Sequence, residues 1–259
     1  MKTLVLMLAT AATFALPGSG IEAAAQSLLP PNTVTADTRQ QLAKNYEDKG
    51  DIARARDEYG SAVNWYLLAI RYNTRDVGLY NKLGIAEMKV GQMDQARRDF
   101  ALGIKVDPSN VDALNNLGAV YCLQHKYRPA VRYLKQALAL DESKAVTHLN
   151  LAEAWMGQKQ IDRAMNEYAR ALELDADILT STDKEGVFAQ ISTPEQRAMV
   201  DFMIAKAYVK RGNLEGALDY LRRAKQDNFK NLATVWDDPV FTPLWKDPRL
   251  AEIVKPKAS

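Results

Sequence analysis

The stretch VDALNNLGAVYC, residues 111–122, has the composition of a helix with a glycine, Gly118, near its centre. A glycine inside a helix costs roughly 1 kcal/mol relative to alanine. Either a packing contact that leaves no room for a side chain or a ligand that approaches the backbone must offset that cost. The residues on either side of this stretch distinguish the two explanations.

Small residues recur with a constant period around Gly118, since Gly84 precedes it and Ala152 follows it at the same interval of thirty-four positions. A leucine comes directly before the small residue each time, an alanine follows it at a fixed distance, and a large apolar residue follows four positions after that alanine. The three sets are Leu83, Leu117 and Leu151, then Ala96, Ala130 and Ala164, then Phe100, Leu134 and Tyr168. Such a strict period is typical of repeat proteins whose units stack into one core.

Each unit is predicted to be a pair of helices. In residues 79–110 the apolar positions are three and four apart, are interrupted at Gly91 and Gln92, and then resume as far as Asp107. Because Pro108 cannot continue a helix, the second helix is expected to end there. Pro129 falls in the first turn of the next unit's second helix, where a missing N–H is tolerated.

This pattern resembles the tetratricopeptide repeat, which combines a large apolar residue, Leu-Gly, aromatic residues, alanines and a closing proline. The resemblance covers residues 77–110, 111–144, 145–178 and, after an interruption, 198–231; its departures are Glu87, Glu142 and His148. It implies an all-α, right-handed α-solenoid of helix hairpins with a C-terminal helical cap. Gly118 then lies where the two helices of one hairpin cross. Asn116 and Asn150 share a position that is structural in this family.

The segments outside these units are less regular. Residues 36–76 match the pattern with a spacing to the next unit that is seven positions too long, which predicts an N-terminal hairpin with one overlong second helix over about residues 52–71. Residues 179–197 predict an insertion loop, after which Thr193, Pro194 and Gln196 are predicted to start a helix through a capping box. Residues 232–259 predict short capping helices and a tail. Five apolar side chains of this last segment are expected to face inward: Phe241, Leu244, Trp245, Leu250 and Ile253.

Residues 1–25 have the pattern of a secretory signal peptide. A charged start at Lys2 is followed by an apolar run over residues 3–16 and by small residues that predict cleavage between Ala25 and Gln26. An uncleaved anchor is the alternative, but the run is shorter than the roughly 20 residues that span a bilayer. Residues 26–35 are predicted to be a flexible linker. We therefore expect a periplasmic or secreted protein with no membrane span after cleavage.

No motif for catalysis or metal binding occurs in the sequence, which lacks G-x-S-x-G, a phosphate-binding glycine loop, H-E-x-x-H and a second cysteine. Cys122 and His125 could form half of a metal site. Because a metal site needs three or four ligands, the preferred interpretation is a small groove-lining residue beside a solvent-facing histidine. We predict no enzymatic activity, no metal and no cofactor.

The remaining charged groups indicate structural roles. The acidic pairs Asp175/Asp177 and Asp237/Asp238 fall at helix boundaries, and Asp238 is placed to cap a helix. The densest basic cluster lies at residues 222–225 and contains no aromatic residue on which a base could stack. Together with a net charge of +2, this composition does not indicate a nucleic-acid partner.

The resemblance implies a non-catalytic module that binds a protein or peptide on its concave face, which the first helix of each hairpin lines. The corresponding residues here are Asn81, Ile85, Met88, Asn115, Ala119, Cys122, Leu149, Glu153 and Met156. The cationic clamp with which some relatives hold a terminal carboxylate is not matched. We therefore expect an uncharged groove for an extended apolar segment, with Asn81 and Asn115 free to bond its backbone.

Two alternatives remain open for the function. The predicted groove could pack against the chain's own N-terminal segment or insertion. The protein could also be a fixed subunit or assembly factor of an envelope or secretion complex, which would bind through end faces or the convex side.

Overall fold

The computed structural model describes residues 33–175, 178 and 194–256, apart from the side chain of Gln196. The predicted signal peptide, most of the linker, the insertion as far as residue 193, with Thr193 of the capping box, and the extreme tail lie outside these residues. The last four residues of the predicted insertion loop, 194–197, are instead the first turn of a helix that begins at Pro194. Ten helices of the described part form five hairpins of consecutive helices. Their bounds are α1 Ala36–Ala55, α2 Tyr59–Tyr72, α3 Val77–Lys89, α4 Met93–Val106, α5 Val111–Leu123, α6 Tyr127–Leu140, α7 Ala145–Gly157, α8 Ile161–Leu174, α9 Pro194–Lys210 and α10 Leu214–Gln226.

The hairpins stack side by side into an all-α solenoid. Each second helix packs on the first helix of the next hairpin, and the first helices α3, α5 and α7 also contact one another in order. Residues from α6, α7, α8 and α9 share one apolar core, so the hairpin that follows the insertion packs on the same array. No helix of the described part is long and apolar enough to cross a membrane.

The turn inside each hairpin places one residue in the left-handed region of the backbone. These residues have φ between 57° and 81°, and each lies seven positions after the small residue at the helix crossing: Asp57, Gly91, His125, Lys159 and Gly212. Only glycine adopts this conformation without a steric cost. Five hairpins therefore turn in the same way although only two of them have glycine there.

The glycine that opened the sequence analysis lies at a helix crossing, as predicted. A Cβ atom built on Gly118 would lie 2.5 Å from Cγ of Leu134 on the partner helix of the hairpin. Gly84 is in the same position against Phe100, where the corresponding distance to Cε1 is 2.6 Å. Gly118 is therefore a packing residue, because its missing side chain is what lets α5 and α6 approach.

The prediction of an overlong second helix in the first hairpin is wrong. The chain breaks at 56–58, where Asp57 is left-handed, and the longer helix is the first one, with 20 residues in α1 against 14 in α2. A second helix that starts at about residue 52 would place the turn of this hairpin near Gly50. In the structure Gly50 is inside α1 and faces Tyr66, and it precedes Gly84 by one full repeat period, so the period extends to this hairpin as well.

The C-terminal segment closes the array as two 3₁₀ turns, Leu232–Trp236 and Pro239–Leu244, and a short helix, α11, Pro248–Ile253. The second 3₁₀ turn and α11 both begin with Asp-Pro and are capped, because Asp238, as predicted, and Asp247 accept hydrogen bonds from the N–H groups two residues later. Four of the five residues expected to face inward are buried, namely Phe241, Leu244, Leu250 and Ile253. Trp245 is the exception at 39% exposed, since its indole N–H reaches the carbonyl of Val235 at the edge of the core.

Candidate functional site

The nine predicted site residues lie on three first helices that contact one another in order. Helix α3 carries Asn81, Ile85 and Met88, α5 carries Asn115, Ala119 and Cys122, and α7 carries Leu149, Glu153 and Met156. The repeat period places equivalent residues at the same height on each helix. We call these nine residues and their equivalents on α1 the first-helix face.

The nine side chains differ in accessibility. Five of them, on α5 and α7, are buried within the protein, with at most 4% of the residue exposed: Asn115, Ala119, Cys122, Leu149 and Glu153. The other four are half-buried: Asn81, Ile85, Met88 and Met156. Three of these four belong to α3, so the accessible part of the predicted site is concentrated on that helix.

Asn115 is not free to bind a peptide backbone, in contrast to the prediction. Its Oδ1 accepts a hydrogen bond from Nδ2 of Asn150 at 3.0 Å, and its Nδ2 donates to Oδ1 of Asn116 at 3.2 Å. The three amides form a buried chain between α5 and α7. Because breaking such a chain would leave buried polar groups unpaired, Asn115 holds the two hairpins together.

Asn81 differs from Asn115 in its hydrogen bonds. Its Nδ2 donates to Oδ1 of Asn110 at 3.2 Å, and the same Asn110 oxygen caps α5 by accepting from the N–H of Ala113 at 2.8 Å. Its Oδ1 is buried and has no hydrogen-bond partner among the described residues. Because this oxygen is buried, a bound segment can pair a backbone N–H with it only after the Asn81 side chain turns outward.

The buried titratable groups of the face interact with one another. Tyr168 of α8 donates its hydroxyl proton to Glu153, and burial raises the pKa of that carboxyl to about 7. Cys122 donates to the carbonyl of Asn150 at 3.7 Å, and burial, aided by Glu153, raises the pKa of its thiol to about 12. The thiol therefore stays protonated and is not a nucleophile at neutral pH.

Cys122 and His125 have separate partners. His125 is the left-handed residue of its turn, and its Nδ1 lies 2.8 Å from the hydroxyl of Tyr127. Within the described ranges no group of three or more potential ligands could hold a metal ion. The two residues are close in the sequence because Cys122 lies at the end of α5 and His125 lies in the turn that follows.

Sequence reasoning missed the charged group that the first hairpin adds to this face. With the corrected register, Glu47 and Asp51 of α1 are equivalent to Asn81 and Ile85 of α3. Nζ of Lys82 lies 2.7 Å from a carboxylate oxygen of each, and Asp51 also accepts from the hydroxyl of Tyr66 at 2.8 Å. Counting back one repeat period from the predicted site on α3 would have found both carboxylates.

Two surface cavities lie away from the first-helix face. One of about 370 Å³, between α9 and α10, is lined by four charged side chains, Arg197, Asp201, Arg223 and Asp227, of which Arg197 and Asp227 form an ion pair at 3.2 Å. The other, of about 240 Å³, lies between α8 and α9, and its lysines pair with Asp238 and Glu173. Neither cavity includes a predicted site residue.

Known proteins share this repeat. A tetratricopeptide repeat family model matches residues 121–179. The chain is 26% identical over 122 residues to anaphase-promoting complex subunit 3 of Schizosaccharomyces pombe, which covers 47% of this chain and 18% of that protein. It is 27% identical over 101 residues to the Hsp70-Hsp90 organizing protein of Triticum aestivum, which covers 39% of this chain and 17% of that protein. The matched segments thus span about a fifth or less of these longer relatives.

Solved structures have the same architecture. The crystal structure of MamA protein superimposes with a TM-score of 0.52 at 19% identity and covers 74% of this chain and 94% of that chain. MamA from Desulfovibrio magneticus RS-1 gives a TM-score of 0.52 at 18% identity, with 71% and 94% covered. At these identities the likeness shows the fold alone. Arrays of such hairpins are protein–protein interaction modules, and the regularly repeated hairpins, their crossing glycines and the family match make this chain a tetratricopeptide repeat protein.

Proposed function

We propose that this protein is a non-catalytic interaction module of the cell envelope that binds an extended segment of a partner protein along its first-helix face. The observation that carries the proposal is on α3. There Ile85 and Met88 are half-exposed beside Asn81, whose buried Oδ1 has no hydrogen-bond partner among the described residues. An apolar surface next to an unsatisfied acceptor suits a peptide chain, which brings both side chains and backbone N–H groups.

The N-terminal end of the array favours a lateral binding face over an end face. Residues that in later hairpins are buried against the preceding hairpin are exposed and polar in the first one. Asn45 and Lys49 of α1 are exposed, whereas their equivalents Leu79 and Leu83 of α3 are buried. A terminal hairpin with a polar outer face is a cap, onto which a further hairpin does not stack.

The C-terminal end favours the same interpretation. Phe241, Leu244 and Leu250 cover the apolar side of the last hairpin and are fully buried there. Because the first hairpin is polar on its outer face and the last one is covered, neither end of the described array offers an apolar surface to a fixed subunit that binds through end faces. The relatives named above belong to different cellular systems, so their common feature is protein binding and their partners are not transferred to this chain.

The chemistry of the accessible face indicates the kind of segment that it would bind. Ile85 and Met88 offer flexible apolar contacts, and the neighbouring charges of Glu47, Asp51 and Lys82 are already paired with one another. Arg54, the α1 equivalent of Met88, is half-buried and interacts electrostatically with Asp51. The two cations of this end of the face, Lys82 and Arg54, are thus balanced by the carboxylates of Glu47 and Asp51 and leave no net positive charge to select a terminal carboxylate. We therefore expect an uncharged, extended segment whose binding does not depend on a free C-terminus.

The test is affinity purification from the native envelope with the parent protein and with an Ile85→Asp/Met88→Glu variant. Ile161→Glu is the matched control, because Ile161 is an exposed apolar residue on the second helix α8. We expect the parent and the control to capture the same partner and the α3 variant to lose it. Peptides that tile the captured partner, titrated against all three proteins, then locate the bound segment. Equal capture by all three proteins would place the interaction on another face.

A further inference from the structure

Helix α6 carries a stripe of like charges on its outer side. Arg128, Arg132 and Lys135 are spaced by four and three residues, which places them on one face of the helix, and all three are exposed. The helix contains no aspartate or glutamate. We call these three residues the α6 stripe.

The other second helices that carry several cations neutralise one of them locally. Residues three apart form ion pairs in α4, α8 and α10: Arg97 with Asp94 at 3.7 Å, Arg170 with Glu173 at 3.3 Å, and Arg222 with Asp219 at 2.5 Å. No carboxylate of the described residues lies within ion-pair distance of the α6 stripe. Because like charges one helical turn apart repel, the stripe lowers the stability of its own helix unless an anionic group is bound to it.

The surroundings of the stripe extend it and add apolar contacts. Arg98 of α4 is the equivalent of Arg132 one repeat earlier, is also exposed and has no ion pair within the described ranges. The Arg132 guanidinium lies 4.7 Å from the ring centroid of Tyr133, and that ring stacks on Tyr121 at 5.7 Å. At the end of the helix Leu140 is 51% exposed. The outer surface around α6 thus combines exposed cations with aromatic and apolar side chains.

We propose that the α6 stripe docks an acidic segment of a partner protein, on a surface distinct from the first-helix face and in addition to the function proposed above. The three residues of the α6 stripe span about 10 Å at 1.5 Å per residue, and Arg98 adds one cation on α4 at the height of Arg132. Exposed carboxylates flank it on the neighbouring second helices, at Asp94 of α4 and Asp162 of α8. Such flanks would repel a broad anionic surface such as a membrane, whereas a single acidic chain can lie between them.

The test uses the whole mature protein and a short fluorescent peptide with glutamates spaced by four and three residues. A peptide with lysines at those places is the probe control. An Arg128→Glu/Arg132→Glu/Lys135→Glu variant should bind the acidic peptide at least about tenfold more weakly than the parent. Arg222→Glu/Arg223→Glu/Lys225→Glu changes the net charge equally on α10 and should bind within about twofold of the parent. Added salt should weaken binding by the parent, since exposed charges are screened.

Three results would overturn the proposal. The first is equal binding by the parent and the α6 variant, and the second is an equal loss in the α10 variant, which would show that only net charge matters. The third is binding of the parent to vesicles with anionic lipids but not to the acidic peptide. Circular dichroism checks that each variant folds. If the triple α6 variant does not fold, Arg132→Gln carries the test, and we expect it to weaken peptide binding by a smaller factor that the α10 counterpart Arg222→Gln does not show.

Discussion

Single residues set the distance between helices in this protein. Gly118 and Gly84 leave space that Leu134 and Phe100 fill, so each hairpin core contains a large side chain against a bare backbone. Buried polar residues act at the same scale, because the amide chain through Asn115 joins α5 to α7. A substitution at such a position changes the packing of two helices at once.

Replacing Gly118 with leucine should therefore destabilise the protein. The new side chain would begin 2.5 Å from Cγ of Leu134, and overpacking of this kind costs about 1–3 kcal/mol. Gly60 is the matched control, since no atom of the described part lies within 4 Å of its Cβ position on the exposed side of α2. Chemical denaturation of Gly118→Leu and Gly60→Leu gives the comparison. If the two variants unfold at the same denaturant concentration as the parent, the packing account of Gly118 is wrong.

A second prediction at this scale concerns Glu87, which stands where the repeat normally has an aromatic residue. Burial first, and then the neighbouring Asp99, raise the pKa of Glu87 from an ordinary 4.5 to about 8. The folded protein therefore holds a proton there that the unfolded chain has released at neutral pH. By linkage, the stabilisation present in acid is lost as the pH rises from about 4.5 through about 8.

The Glu87→Gln variant should lose this part of the pH dependence. The free energy of unfolding of the variant should exceed that of the parent most near pH 8. Its melting temperature should change less than that of the parent between pH 5 and pH 9. Arg98, which lowers the pKa of both carboxyls, is unchanged in this variant. Thermal melts of the parent and the variant at matched pH values measure the effect. Parallel melting curves across that range would contradict the raised pKa of Glu87.

At the scale of elements, first and second helices differ in how much of their surface is buried. Helix α5 is buried on most of its positions because it contacts its own hairpin and the neighbouring first helices. The second helix α6 buries only the apolar stripe of Ala130, Val131, Leu134 and Ala137. First helices therefore keep only a few accessible side chains, whereas second helices expose the larger part of theirs.

The turns that join the two helices of each hairpin give a prediction for stability. Lys159 has φ of 60°, a conformation that costs a residue with a side chain about 1–2 kcal/mol. Glycine avoids this cost, but its greater conformational freedom in the unfolded chain offsets part of the gain. We therefore expect Lys159→Gly to stabilise the fold by about 0.5–1 kcal/mol. Lys135→Gly, in the interior of α6, should instead cost about 1 kcal/mol. Urea unfolding of both variants checks the pair, and a destabilised Lys159→Gly protein would contradict it.

The described residues form a short array whose first hairpin is polar on its outer face and whose last hairpin is covered. Lys49 on the outer face of α1 lies 5.4 Å and 5.0 Å from the ring centroids of Tyr46 and Trp65, so the first hairpin presents a charge over its aromatic residues. At the other end the two 3₁₀ turns and α11 cover the last hairpin. An array with a polar outer face at its first hairpin and a covered last hairpin should not polymerise end to end.

This closure can be reversed by substitution. Asn45→Leu/Lys49→Leu restores apolar character at positions whose later equivalents bury against the preceding hairpin, so we expect concentration-dependent association through the N-terminal end. The control is Asn166→Leu/Arg170→Leu, which adds the same apolar residues at the same spacing to the exposed side of α8. Light scattering after size-exclusion chromatography measures the mass of each protein. A monomeric end variant, or equal association of both variants, would show that the first hairpin is not a cap.

The location of the protein is also a prediction for the whole chain. The charged start, the apolar run and the small residues before Gln26 indicate export and cleavage after Ala25. Mass spectrometry of the protein purified from its native cell should find Gln26 at the N-terminus. Retention of Met1 would contradict both cleavage and the proposed place in the envelope.

The sequence by itself determined the repeat, the hairpins and the role of Gly118. These features depend on the spacing and the volume of side chains. Both can be recognised in a sequence when the same unit recurs several times. The register of the first hairpin could not be determined in this way. Tyr59 and Ala62 recur seven positions later as Tyr66 and Ala69, so two registers fit the pattern, and only the packing of Tyr66 on Gly50 selects one.

Only the tertiary structure decided which residues of the predicted site are accessible. Asn81 and Asn115 occupy equivalent positions in the repeat, yet Asn115 is held by Asn150 from the next hairpin, while Oδ1 of Asn81 has no partner among the described residues. The state of each amide depends on the side chain that the neighbouring hairpin brings to it. A repeat pattern specifies where a residue lies on its own helix, but its hydrogen bonds and exposure are set by contacts between units, where the sequence varies from one repeat to the next.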